Sequence, residues 1–455
     1  MKVIGLDIGT TTVCAVVVDA EKGKVLKSVT LPNDTFLDNT KPFEKIQDPE
    51  KILSKATTLV EELLGEFDDI VSIGVTGQMH GLLYINEKGD AVSGLYIWQD
   101  ASANEIYKDG KSYAQYLTEL TGYKMASGFG GATYFYHTIN NMVPEDAVQI
   151  CTIHDYVAMK LASLSKPVMH TSDAASYGLF DIKNACFDKC AIGKAGLSFE
   201  MFPSVTSENM ILGKKNGAIP VSVAIGDNQA SFLGSVNDIE KCLLVNVGTG
   251  SQISFGTKSE KAPAGLEIRP CIGESKIMVG SSLCGGRAFA LLEKFFRETA
   301  ELVTGEEVSS AYKGIDAFLE KTENVENPLS FSTLFCGTRE NPEDRAKVEN
   351  LGIDNFTPGH FIYGVMNGMA DELHEMYEKG ISVCEERPSL LIASGNGIRK
   401  NKTLQRIVSG IFGMEIRIPA HKEEAAYGSA IFSLTSAGIY DTIQSALQLI
   451  QYEVN

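Results

Sequence analysis

Nowhere among its nine cysteines does the chain place a Cys-x-x-Cys pair. The thiols are scattered from Cys14 to Cys384, and Cys186 and Cys190 stand four apart with no histidine nearby, so nothing suggests a zinc cluster. An odd number of thiols fits a reducing compartment. Basic charge is also scarce: 40 Lys and Arg face 58 Asp and Glu, a net charge of −18. No cationic stripe exists to displace counterions, so neither a nucleic acid nor an anionic membrane is expected as a partner. No apolar run reaches membrane-spanning length. The first residues run straight into a strand pattern without a charged-then-apolar leader, and a cytoplasmic protein is expected. Two nucleotide devices are missing as well, the Gly-x-x-x-x-Gly-Lys-Ser/Thr loop and the Gly-x-Gly-x-x-Gly turn. None of this excludes a phosphorylated ligand, because backbone N–H groups hold anions without lysines.

What is present reads as α/β. At 455 residues the chain exceeds one hydrophobic core, so two large domains are expected. Strands are predicted over Lys2–Asp7, Val13–Asp19 and Val25–Val29, with Ile8-Gly9-Thr10-Thr11-Thr12 as the first turn. A helix follows, capped by Asp48, begun by Pro49 and closed by Gly65; Ile52, Ala56, Leu59 and Leu63 lie on its apolar face. The strand Ile70–Val75 comes next, which makes α/β traffic. The opening pattern then returns, with Cys242–Val247 as a strand, Gly248-Thr249-Gly250-Ser251 as the turn and Gln252–Phe255 returning. Two halves that each open with a Gly-Thr hairpin suggest a duplication, 1–235 and 236–455, with a ligand in a cleft between the copies. Further on, Thr357-Pro358 starts a helix. Ser389–Ala393 reads as a buried strand entering Ser394-Gly395-Asn396-Gly397, with a helix over Lys402–Phe412 behind it.

Several residues in this frame can carry chemistry. Glycine lets backbone N–H groups approach an anion and threonine adds hydroxyl donors, which suits Gly9, Thr10, Thr11, Thr12 and Gly248, Thr249, Gly250 to phosphate. Asp7 ends an apolar strand; beside phosphates it would hold Mg²⁺, and the rival reading is a capping aspartate for its own turn. Asp227, between Gly226 and the amides of Asn228 and Gln229, either takes a proton from an attacking hydroxyl or caps a turn. Gln78-Met79-His80 and Trp98-Gln99-Asp100 combine amide, imidazole, carboxylate and aromatic face, the groups that suit a sugar. Against that stand a core tryptophan and a structural histidine. Tyr134-Phe135-Tyr136 reads as core, and Glu423-Glu424 as a solvated face.

These motifs, in this order, resemble the FGGY carbohydrate kinases of the actin-like ATPase superfold, over nearly the whole chain. The resemblance implies two duplicated ribonuclease H-like domains, ATP and Mg²⁺ as cofactors, and Asp227 as catalytic base with Asn228 beside it on the sugar. It also implies nucleotide contacts at Gly285 and Gly286 and an adenosine loop at Gly395 and Asn396 with Asn401. His421–Ala430, with Glu424–Ala430 inside it, resembles the family's closing helix motif. Trp98-Gln99-Asp100, Gly128–Thr133, Thr152–Tyr156, Asp173–Gly178 and Phe335–Arg339 are most similar to the sedoheptulose kinases within the family. Cys14 departs from the pattern, since members often carry Lys or Arg there.

The implied reaction is direct transfer of the γ-phosphoryl group of ATP to a terminal hydroxyl of a ketose, sedoheptulose first and xylulose or ribulose second. A non-catalytic sugar sensor and an actin- or chaperone-like ATPase are the rival classes. A homodimer is the default assembly.

Overall fold

The valine-rich opening becomes a meander in which Lys2–Ile8 pairs antiparallel with Thr12–Asp19, and Thr12–Asp19 with Val25–Pro32. The computed structural model describes residues 1–338, 341 and 343–453, so Arg339, the last residue of the Phe335–Arg339 motif, lies outside them. Asp48 caps the helix Pro49–Glu66 by accepting from the N–H groups of Glu50 at 3.0 Å and Lys51 at 3.1 Å, a cap worth about 1 kcal/mol. Ile52, Ala56, Leu59, Val60 and Leu63 are buried along it. Gly65 does not close this helix. The chain leaves through an extended Phe67 whose N–H reaches the Leu63 carbonyl at 3.0 Å, so no left-handed glycine is needed.

Ile70–Gly77 then runs parallel to the opening strand. Seven strands complete this sheet, in the order Ile211–Lys215, Ile219–Ser222, Ile70–Gly77, Lys2–Ile8, Thr12–Asp19, Val25–Pro32, with Ile225–Gly226 also paired to Ile70–Gly77. Both faces are covered, which is why Val13–Val18 is buried throughout and reads as unbroken valine rather than alternation. On one face Ile4, Leu6, Ile8, Val13 and Val17 pack with the helices Pro49–Glu66 and Ile153–Leu161. On the other lies the helix Glu424–Ser436, so close that a Cβ on Gly5 would stand 1.8 Å from the Ala426 carbonyl oxygen. That contact explains why Glu423–Gln451 belongs to the same compact unit as Met1–Asn237 and Arg269–Ser275. A single cut after residue 235 misses this return of the C-terminal segment. Tyr134, Phe135 and Tyr136 are buried in a second apolar cluster of this unit.

The other unit is built mostly from Asp238–Ile268 and Lys276–Lys422. Its six-stranded sheet runs Leu266–Pro270, Lys276–Ser282, Ser251–Thr257, Cys242–Val247, Leu390–Ser394, Ile416–Arg417. Cys242–Val247 pairs antiparallel with the strand after its hairpin and parallel with Leu390–Ser394. The opening strand of the first sheet has the same two neighbours in the same senses. The duplication is therefore topological as well as sequential. The helix Pro358–Ile381, capped by Thr357, buries Val365, Met369 and Leu373 against this sheet. Among the described residues no helix is long and apolar enough to cross a membrane.

Candidate active site

Register brings the acids of the first unit to one edge. Asp7 lies level with Thr76 and Thr76 with Ile225; one residue on, Ile8 is level with Gly77 and Gly77 with Gly226. The next residues of these parallel strands are Gly9, Gln78 and Asp227. The hairpin, the Gln78–His80 segment and the Asp227 turn thus leave the sheet together at its carboxyl edge, where α/β sheets take their ligands. Thr76 Oγ1 donates to the Ile225 carbonyl at 2.7 Å and fastens the Asp227 turn there.

The first hairpin is tied down through its carbonyl groups. Asn33 Nδ2 donates to Gly9 O at 2.8 Å, Gln47 Nε2 to Thr10 O at 2.9 Å, and the Asn33 N–H to Thr11 O at 2.8 Å. Engaged carbonyl oxygens no longer repel an anion, which suits this turn to phosphate. Thr11 and Thr12 are exposed. Asn33 and Gln47 were not legible as site residues, because each lies far along the chain in an unremarkable context.

The sugar cluster joins the same network. Trp98 is 48% exposed, not in the core, and its Nε1–H donates to Thr10 Oγ1 at 2.9 Å. Thr10 Oγ1 in turn donates to Gln78 Oε1 at 3.0 Å, and Gln78 Nε2 to Gln47 Oε1 at 2.8 Å. Gln78 is buried, so it sets the positions of Thr10 and Gln47. His80 adopts φ 73°, a left-handed conformation that costs a non-glycine residue about 1–3 kcal/mol and is held by its surroundings. Its N–H donates to Ser176 Oγ at 3.1 Å, its Nδ1–H donates to Ser176 O at 2.7 Å, and its ring stacks on Phe129 at 4.7 Å. Met79 is buried against the Asp227 turn, where a Cβ on Gly226 would meet its Sδ at 2.7 Å. Asp100 departs from the sugar-facing expectation. It is 1% exposed and accepts from the Lys45 N–H at 3.2 Å, the Ser102 N–H at 3.0 Å and the Ser102 hydroxyl. Its carboxyl group holds the loop that follows Trp98.

Asp7 and Asp227 share an electrostatic environment. Burial first, then the charges of Asp227 and Glu423, push Asp7 up to about 7, against a smaller opposing pull from His154. Burial likewise pushes Asp227 up to about 6, opposed by His154 and Arg269. Glu423 and Glu424 are half-buried, so they are not a fully solvated face. Arg269 Nη1 donates to Asn228 Oδ1 at 3.1 Å. Forty-one residues separate the two in sequence, and nothing in the sequence signalled that partnership. Cys14, level with Asp7, is buried, and burial pushes its thiol up to about 12, so a neutral thiol stands there. Asp7 Oδ1 is shielded from solvent and has no hydrogen-bond partner, the condition of a carboxylate that fits a divalent cation.

Below this edge His154 Nε2 stands 2.9 Å from Asp173 Oδ2, and Asp155 Oδ2 accepts from Thr152 Oγ1 at 2.7 Å. These three ionisable groups lie within metal-ligating distance of one another. Charge ties the cluster together: burial opposes the imidazolium, but Asp173 first and then Asp155 outweigh it and raise His154 to about 9. A protonated imidazole does not ligate.

In the second unit three predicted pieces converge. The Gly248 N–H donates to Gly250 O at 2.9 Å, the Gly286 N–H to Gly248 O at 2.8 Å, and the Arg287 N–H to Thr249 O at 3.0 Å. A Cβ on Gly285 would stand 2.4 Å from Gly250 O, and one on Gly395, at φ +86°, would stand 2.6 Å from Val247 O. The second hairpin is therefore wrapped by both glycine loops, a cradle built from backbone groups. Thr249 and Asn396 are exposed beside it. Asn401 caps the helix Lys402–Phe412, accepting from the Leu404 N–H at 2.9 Å, and its Nδ2 points to Met366 Sδ at 3.5 Å.

Known proteins resemble this chain in sequence and fold. The FGGY family of carbohydrate kinases, N-terminal domain, matches residues 2–234. The chain is 25% identical to sedoheptulokinase of Mus musculus, with 95% of this chain and 97% of that one covered. It is 22% identical to xylulose kinase of Staphylococcus xylosus, with 97% and 92% covered. The crystal structure of Plasmodium falciparum glycerol kinase with ADP superposes with a TM-score of 0.82 at 19% identity, covering 100% of this chain and 93% of that one. The fold is the doubled actin-like ATPase architecture. The chain belongs to the FGGY family of carbohydrate kinases, and its activity is that of a sugar phosphotransferase.

Proposed function

We propose that this kinase moves the γ-phosphoryl group of ATP to a terminal hydroxyl of a ketose, with sedoheptulose as first candidate. The observation that carries the reading is Asp227: a half-buried carboxylate at a strand end, level with the residues around Asp7 and raised to about 6. A general base works best near the operating pH, where it is ionised yet basic enough to accept a proton. In this reading the sugar hydroxyl gives its proton to Asp227 as its oxygen attacks the γ-phosphorus in line, and ADP leaves. Met79, His80, Trp98 and Asn228 orient the sugar, while Gln78 holds Thr10 and Asp100 holds the loop of Trp98. The two hairpins face phosphate oxygens; Gly285, Gly286, Gly395, Asn396 and Asn401 take the nucleotide. Asp7 would hold Mg²⁺, which when bound neutralises charge on the phosphoryl oxygens.

Likeness to the mouse sedoheptulokinase supports the seven-carbon sugar. Likeness to the staphylococcal xylulose kinase supports a pentulose as the second reading. The test is Asp227→Asn, assayed for sugar-dependent ADP release. Turnover falls about 10²–10⁴-fold with ATP and sugar still bound. A variant within about threefold of the parent would remove Asp227 from the reaction, since base catalysis is worth far more.

A further inference from the structure

The cluster below the strand ends is not used by that reaction. Thr152, His154, Asp155 and Asp173 are each no more than 1% exposed. Burying charge is costly unless it is paired, and apolar side chains of similar size often do no worse for stability. Helix capping does not account for the cluster either. Thr152 alone caps the helix Ile153–Leu161, accepting from the Asp155 N–H at 3.3 Å. His154 lies instead against the end of the central strand, where a Cβ on Gly77 would be 3.2 Å from its Cβ. Gly77 is level with Ile8 on one side and Gly226 on the other. Asp173 continues the chain of contacts: its Oδ1 accepts from Ser176 Oγ at 3.2 Å, and Ser176 Oγ accepts from the His80 N–H at 3.1 Å.

We propose that His154, clamped by Asp173, is a positioning residue for phosphoryl transfer: a fixed positive charge at the strand ends that carry Asp7 and Asp227, anchored through Ser176 to His80. This rests on the reading of Asp227 as the base. The groups that act on His154 are Asp173, Asp155, Asp227 and Asp7. Asp227 also feels Arg269 and Asp173, and Asp7 feels Glu423. Burial holds His170, which feels an opposing pull from Asp173, down to about 4 and therefore neutral. Burial and Asp173 push Asp155 well above the usual carboxylate range, while His154 pulls Asp173 below it against Asp173's own burial. The imidazolium draws Asp227 toward ionisation, whereas Asp173 opposes that effect.

His154→Gln removes the charge and keeps an N–H donor of similar reach for Asp173. With the intact enzyme at saturating Mg²⁺ATP, the acid limb of kcat/KM for the sugar moves up by about one pH unit. Turnover at neutral pH falls more than turnover at high pH. A loss of equal size at every pH, with the limb unmoved, would make the pair merely structural and overturn the proposal. A second readout needs neither the variant nor the assay. ¹⁵N-labelled histidine in the free protein gives seven imidazoles. One of them, His154, is expected to stay protonated to about 9. Seven imidazoles all neutral at pH 8 would overturn the inference whatever Asp227 does. Failure of the base reading alone looks different: Asp227→Asn stays active while that high-titrating imidazole persists.

Discussion

Gly428→Ala is the substitution whose consequence can be worked furthest from distances. Gly428, in the helix Glu424–Ser436, faces the helix Asp227–Leu233, and a Cβ there would lie 1.8 Å from Ala230 O and 2.8 Å from Gly234 N. Gly234 answers it, with a Cβ 1.9 Å from Glu424 O. Ordinary contact begins near 3.4 Å, so one added methyl must drive the two backbones apart by about 3.4 − 1.8 = 1.6 Å. Backbone oxygen cannot rotate away as a flexible side chain can. Overpacking of this kind costs about 1–3 kcal/mol. Ala230 is one helical turn beyond Asp227, so the shift reaches the carboxylate, and a displacement near 1 Å can cost ~10²-fold in rate. Gly410→Ala is the matched control. It lies in the interior of the helix Lys402–Phe412 with nothing within 4 Å of its Cβ. There alanine stabilises by about 0.5–1 kcal/mol through helix propensity. Urea denaturation and turnover of both variants check the pair. The reasoning is refuted if Gly428→Ala keeps full stability and a turnover within about threefold of the parent.

Two further outcomes are expected. Trp98 is the sole tryptophan and is 48% exposed, so saturating sugar should shift its emission to shorter wavelength; emission unchanged by a sugar that is turned over would remove Trp98 from the sugar contacts. Asp7→Asn should stabilise the ligand-free protein in EDTA while abolishing Mg²⁺-dependent turnover. Asp7 rises from 3.8 to about 7 on folding, so the folded state holds a proton that the unfolded chain has released, and stability falls as pH climbs through that window. The ceiling is about 4 kcal/mol, reduced to about 1–2 kcal/mol by relaxation and water entry. The gain therefore appears at pH 8 and vanishes toward pH 4, and a variant less stable than its parent at pH 8 would contradict the sign.

The parts of the fold that were legible in the sequence are those with a local cause. Valine runs, the Asp48-Pro49 start and the Lys402–Phe412 period follow from side chains a few residues apart. The duplicated Gly-Thr hairpins were legible because the motif itself repeats. Contacts closed by the sheet were not. Gln47, Asn33 and Arg269 join the site only through register and return of the chain, with partners 37, 24 and 41 residues away. Asp100 looked like a sugar ligand because a carboxylate beside a tryptophan has that chemistry, yet the Ser102 and Lys45 N–H groups reach it first. Glu423 looked solvated because two adjacent acids usually are, but the close packing of the Glu424–Ser436 helix on Gly5 half-buries it and puts its charge on Asp7.

The most direct test of the account is ADP release from Mg²⁺ATP with sedoheptulose, xylulose, ribulose, fructose and glycerol, run beside Asp227→Asn. The account predicts strong turnover with one ketose, sedoheptulose first, and its loss in the variant. ATP hydrolysis that ignores every sugar, or sugar-dependent turnover that survives in Asp227→Asn, would contradict it.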